Sequence, residues 1–71
     1  MNETNKFEIN AFRILEDDTR ECDAWAVKGE GHAWALGRLL SRVDEYSWIE
    51  VHHGQTIVAI FVKGYCVMQR A

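Results

Sequence analysis

The segment from Tyr46 to Arg70, YSWIEVHHGQTIVAIFVKGYCVMQR, constrains the fold more than any other. β-branched and aromatic residues dominate it, and its breaks are the dipeptides His53-Gly54 and Lys63-Gly64. Glycine dipeptides between apolar runs mark hairpin turns, so the segment predicts a three-stranded antiparallel meander. With both dipeptides as two-residue turns, Val51 pairs with Thr56, Ile49 with Val58, Val62 with Tyr65 and Ile60 with Val67. Side chains alternate between faces. One face then carries Ile49, Val51, Val58, Ile60, Val62 and Val67, an aliphatic surface expected to be core. The other carries Tyr46, Trp48, Glu50 and His52, joined by Ile57, Ala59, Phe61, Cys66, Met68 and Arg70.

The upstream half must supply the cover. KFEINAFRIL, residues 6–15, alternates as a strand with Phe7, Ile9 and Ala11 on one side and Phe12 and Ile14 on the other. That pattern needs either a bulge near Ala11 or cover on both sides. EDDTRE, residues 16–21, is a carboxylate-rich turn, and CDAWAVK, residues 22–28, is a second strand with Trp25 and Val27 opposed to Ala24 and Ala26. The chain contains no proline, so glycine marks the remaining break, Gly29-Glu30-Gly31, with Gly31 expected as the N-cap of a helix over 32–44. Helical projection gathers Leu36, Leu39, Leu40 and Val43 into one stripe, extended by Ala33 and His32. It leaves Trp34 on the polar side, an anomaly that points to an interaction role or to a terminal segment folded over it. The expected architecture is therefore α+β, in the order β-β-α-β-β-β, an antiparallel sheet with one amphipathic helix on one face.

Length and composition bound the function. A chain of 71 residues is one domain, 1–71, with residues 1–5 expected to fray. Apolar residues make up 48% and charged residues 27%, a globular balance. No apolar run approaches the ~20 residues of a membrane span, and the polar start MNETNK has no signal-like apolar region. Cytoplasmic residence is expected, and the cysteine pair Cys22 and Cys66 is expected to be reduced there. The net charge of −3 argues against affinity built on neutralising phosphates. Stacking of single-stranded nucleic acid on Tyr46, Trp48 and Phe61 would lack a basic groove.

The chemically capable residues do not form a known motif. Cys22, His32, His52, His53 and Cys66 lack the paired spacing of zinc ligands. His52 and His53, adjacent on a strand, point to opposite faces, and His53 is explained by tolerance of a left-handed turn conformation. Glu50 and His52 share a face, but no third group converges on them, and Cys66 reads as a small buried hydrophobe. Lys28-Gly-Glu-Gly-His32 lacks the phosphate-loop patterns. Neither catalysis, metal nor cofactor is expected. The expectation is a small, acidic, non-enzymatic protein-binding module that occludes a partner's surface, of the kind found among phage and mobile-element inhibitors. The alternative is a homodimer built on the aromatic sheet face. The expected contact residues are Trp34, Tyr46, Trp48, Glu50, His52 and Arg70, since aromatic anchors supply burial and charges set orientation.

Overall fold

The computed structural model describes residues 5–70 and contains five strands and one helix: β1 (Lys6–Ile14), β2 (Arg20–Lys28), α1 (Glu30–Leu40), β3 (Trp48–His53), β4 (Thr56–Val62) and β5 (Tyr65–Gln69). The strands form one antiparallel sheet in the order β2-β1-β3-β4-β5. The first hairpin joins the meander through β1, which pairs Phe12 with Trp48 and Glu8 with His52. The expected element order and the α+β architecture hold. Of the expected frayed residues, Asn5 is held, because its carbonyl accepts a 2.8 Å bond from the Gly29 N–H; the others lie outside the described residues.

The helix lies over the face that carries Phe7, Ile9, Ala11, Ile49, Val51, Ala59 and Phe61, and with Ala33 these form the buried core. β1 needs no bulge: it pairs with β2 in unbroken register over all nine residues. Its Phe12 and Ile14 simply belong to the opposite face.

Two bulges change the meander from its expected register. The first turn is Gly54-Gln55, closed by the pair His53–Thr56, with Gly54 at φ 65. His53 ends β3 instead, its ring stacked on Phe7 at 4.5 Å. Between Val51 and His52 the partner on β4 jumps from Ala59 to Ile57, so Val58 is an extra residue. A one-residue bulge reverses the face of everything beyond it. Ala59 and Phe61 therefore enter the core in place of Ile60 and Val62, which pass to the uncovered face. A second bulge, at Val67, pairs Cys66 with Phe61 beneath the helix side and Met68 with Ile60 on the other. The Lys63-Gly64 turn is as expected, joining Val62 to Tyr65, and both its residues have positive φ, 51 and 87, as a type I′ hairpin turn requires.

The helix also seats differently from its projected leucine stripe. Gly29, at φ 92, is the N-cap, which moves the start two residues ahead of His32, and the helix ends at Leu40. Its buried residues are Ala33, a member of the projected stripe, and Gly37, which is not. A Cβ on Gly37 would stand 3.1 Å from the Phe61 ring and from a Val51 methyl, so the helix backbone rests almost directly on the sheet. Leu36 and Leu40 reach the core from the flank, while Leu39 is 62% exposed. Small residues permit close approach and large ones prevent it, and that preference overrides the hydrophobic stripe. Beyond the helix, the Ser41 hydroxyl donates to the Arg38 carbonyl at 2.7 Å and accepts the Gly64 N–H at 2.8 Å, tying the helix end to the β4–β5 turn.

Candidate functional site

With a single helix on one side, the other side of the sheet has no cover from any described element. Its first row runs across all five strands as Cys22, Phe12, Trp48, Val62 and Tyr65, with Val62 opposite Trp48 one step beyond the Ile49–Phe61 pair. The next row is Ala24, Asn10, Glu50, Ile60 and Met68. The third brings Ala26, Glu8, His52 and Ile57 together. Tyr65 is 74% exposed.

The side chains in the middle of this face are held in place by one another. Trp48 stacks on Phe12 with ring centroids 4.7 Å apart and planes 13° from parallel, and the Arg20 guanidinium lies 5.9 Å from the Trp48 ring. Stacking and cation–π contact each orient the indole without burying it. The indole N–H donates to Glu50 Oε2 at 2.9 Å, and His52 Nε2 lies 2.9 Å from Glu50 Oε1. Both oxygens of the Glu50 carboxylate are thus engaged, and the Trp48–Glu50–His52 ladder along β3 is pre-organised. Cys22 sits at the margin, its thiol 3.7 Å from Asn10 Oδ1. Desolvation, then the charges of Asp23, Glu50 and Glu8, push that thiol up from its ordinary value, which opposes thiolate formation.

Of the six residues expected as contacts, only Trp48, Glu50 and His52 share this face. Tyr46 precedes β3 and turns to the helix side. There its hydroxyl donates to Asp23 Oδ2 at 2.6 Å, its ring meets Trp25 edge-on, and Arg13 lies over it at 5.5 Å. Trp34 and Arg70 lie together elsewhere, along an open hollow of about 310 Å³ that Phe7, His53, Val58 and Glu30 also line. Trp34 is half-buried there with its ring edge-on to Phe7, so the core's own rim answers the anomaly of its helical position. Arg70 is spent on the chain itself, donating from Nε to the Ile57 carbonyl at 3.1 Å. Ala59, Phe61 and Cys66 are under the helix, not on this face.

Sequence reasoning missed Phe12, Ile60, Val62 and Tyr65 as members of the face. Alternation along β1 already placed Phe12 opposite Phe7, Ile9 and Ala11; its contact with Trp48 required knowing that β1 pairs with β3. For Ile60 and Val62 no local signal existed, because the bulge that moves them has no glycine.

A second ionic cluster marks the opposite side near the β1–β2 turn. Arg13 reaches Glu21 at 3.2 Å, Asp23 at 3.0 Å and Glu45 at 3.7 Å. The Tyr46 hydroxyl bond, then Arg13, hold the Asp23 carboxyl below its ordinary range despite partial desolvation. No protein-family model, curated protein or solved structure matches the chain.

Proposed function

We propose that the chain is a non-enzymatic protein-binding module that engages a protein partner through the helix-free face of its sheet. The observation that carries this reading is the uncovered row centred on the Phe12–Trp48 stack, with Ile60, Val62, Met68 and Tyr65 beside it. Apolar patches of this kind, rimmed by polar groups, are characteristic of interaction sites, and tryptophan and tyrosine are the residues most often found as binding anchors. The order already present in Trp48, Glu50 and His52 lowers the entropy lost on association.

The chemistry of the face favours binding over turnover. Glu50 and His52 are committed to each other and to Trp48 on a flat strand surface. The thiol of Cys22, though exposed, is disfavoured as a nucleophile by partial desolvation and by nearby carboxylates. The mode of action we attach to the module is occlusion, a rigid face laid over a surface that another molecule would use.

The test is affinity capture with the native chain and with Trp48→Ala and Tyr65→Ala, followed by identification of retained proteins. Circular dichroism of each variant checks the fold. The expected result is a partner that the native chain retains and both folded variants lose. Retention of that same partner by both variants would overturn the reading. Sedimentation equilibrium, run alongside, separates a foreign partner from a second copy, since self-association on this face would double the 8.2 kDa mass and disappear in Trp48→Ala.

A further inference from the structure

The two edges of the sheet are not alike. β5 is five residues long and broken by the Val67 bulge, the kind of interruption that blunts an edge. β2 is nine residues long, pairs among the described residues only with β1, and keeps perfect register throughout. It contains neither proline nor glycine. A long, regular edge is a template for another strand.

The direction of its backbone groups follows from two bonds. Ser47 N–H donates to the Phe12 carbonyl, so Phe12 and the residues at even numbers in β1 turn their backbone groups toward β3. Gly29 N–H donates to the Asn5 carbonyl, so the odd-numbered residues turn theirs toward β2. Hydrogen-bonded pairs in an antiparallel ladder alternate. The pairs Arg13–Glu21, Ala11–Asp23, Ile9–Trp25 and Phe7–Val27 are therefore the bonded ones, and Cys22, Ala24 and Ala26 present their N–H and C=O groups outward.

The side chains around that edge specify what fits. On the helix-free face Cys22, Ala24 and Ala26 are small, forming a low step beside Phe12. On the helix side Glu21 and Asp23 are followed by Trp25 and Val27. Charge at this end of the sheet is strongly one-sided. Glu21, Asp23 and Glu45 pair with Arg13 on the helix side, and Glu16, Asp17 and Asp18 lie in the β1–β2 turn; set against Arg13 and Arg20, the latter on the helix-free face, they leave an excess of four negative charges where the whole chain carries −3. The rest of the chain is net positive by one.

We propose that the outer edge of β2 pairs with an extended basic strand of a partner protein. That strand runs antiparallel to β2, with Lys or Arg facing Glu21 and Asp23, apolar residues facing Trp25 and Val27, and bulky side chains over Cys22, Ala24 and Ala26. Backbone bonds supply the pairing and the acidic corner selects the charge. This site goes beyond the face centred on Trp48 and does not depend on it.

The test uses the full chain, labelled with nitrogen-15, and a synthetic nine-residue peptide. The peptide has valine at two alternate positions, lysine at the next two, and threonine or tyrosine between them; a control replaces lysine by glutamate. The lysine peptide is expected to slow hydrogen exchange at the Cys22, Ala24 and Ala26 amides, with an affinity that falls as salt rises. The glutamate control is expected to bind at least tenfold more weakly. Ala24→Pro removes an outward donor while leaving the β1 ladder intact, a substitution edge strands accommodate; it should abolish pairing. Trp48→Ala should not affect it, so failure of the face and failure of the edge are read separately. No added protection at the three outward amides of the native chain would overturn the proposal, whatever becomes of the proline variant. So would equal affinity for the two peptides, or a chain already dimeric through β2.

Discussion

Gly37 and Gly31 sit in the same helix and give opposite answers to the same substitution. Alanine at either position gains helix propensity, at most about 1 kcal/mol over glycine. At Gly31 nothing lies within 4 Å of the added Cβ, so only that gain is felt, reduced somewhat by the position in the first turn. At Gly37 the Cβ meets two atoms of the Phe61 ring and one methyl of Val51, each at 3.1 Å. Carbon atoms prefer ~3.5–4.0 Å. Phe61 and Val51 are both 0% exposed, so neither has solvent to move into, and either the helix lifts or the core distorts. Overpacking of this kind costs roughly 1–3 kcal/mol. The two variants should therefore differ by roughly 1–3 kcal/mol, with Gly31→Ala the more stable. In a domain of this size that is a separation in Tm of at least about 4–8 °C. Urea and thermal denaturation of the pair measure it. Equal stabilisation by both substitutions would refute the close approach of helix to sheet, and with it the register that puts Phe61 beneath Gly37.

Two further perturbations probe the parts that hold the sheet's faces apart. Ser41 is 3% exposed and its oxygen accepts the Gly64 N–H, so Ser41→Ala leaves that donor without its acceptor. The expected cost is ~1–3 kcal/mol, with faster hydrogen exchange at Gly64; an unchanged exchange rate would discount the link between helix end and turn. Asp23 has a carboxyl lowered in the folded state from an ordinary value of 3.8, chiefly by the Tyr46 hydroxyl. Its contribution to stability is then complete above 3.8 and is lost as pH falls through the lower folded value. In an NMR titration the native Asp23 midpoint should lie below the ordinary one, and Tyr46→Phe should move it back up. A midpoint unmoved by Tyr46→Phe would show that the hydroxyl is not the cause.

Local patterns determined a good deal of this molecule. Alternation in KFEINAFRI set the two faces of β1, and Trp25 and Val27 opposed Ala24 and Ala26 in β2 as read. The polar turn EDDTRE and the glycines together gave the number of strands and the site of the helix, and Lys63-Gly64 gave a turn of the right length. Trp48, Glu50 and His52 were placed on one face because they are two residues apart on one strand, and β3 itself carries no extra residue to break that alternation.

What tertiary structure decided was parity and proximity. A bulge at Val58 costs one unpaired residue, yet it moves Phe61 under the helix and sends Ile60 and Val62 to the open side. The helix took its small residues inward because an aromatic ring beneath it left no room for leucines, which stranded Leu39 in solvent. Tyr46, Trp34 and Arg70 were parted from Trp48 because each found a partner on another element, namely Asp23, Phe7 and the Ile57 carbonyl. Periodicity in a sequence reports which residues share a side of their own strand only where no bulge interrupts it. Which side faces the core is settled by how neighbouring elements fit together, and that information resides in pairs of residues far apart in the chain.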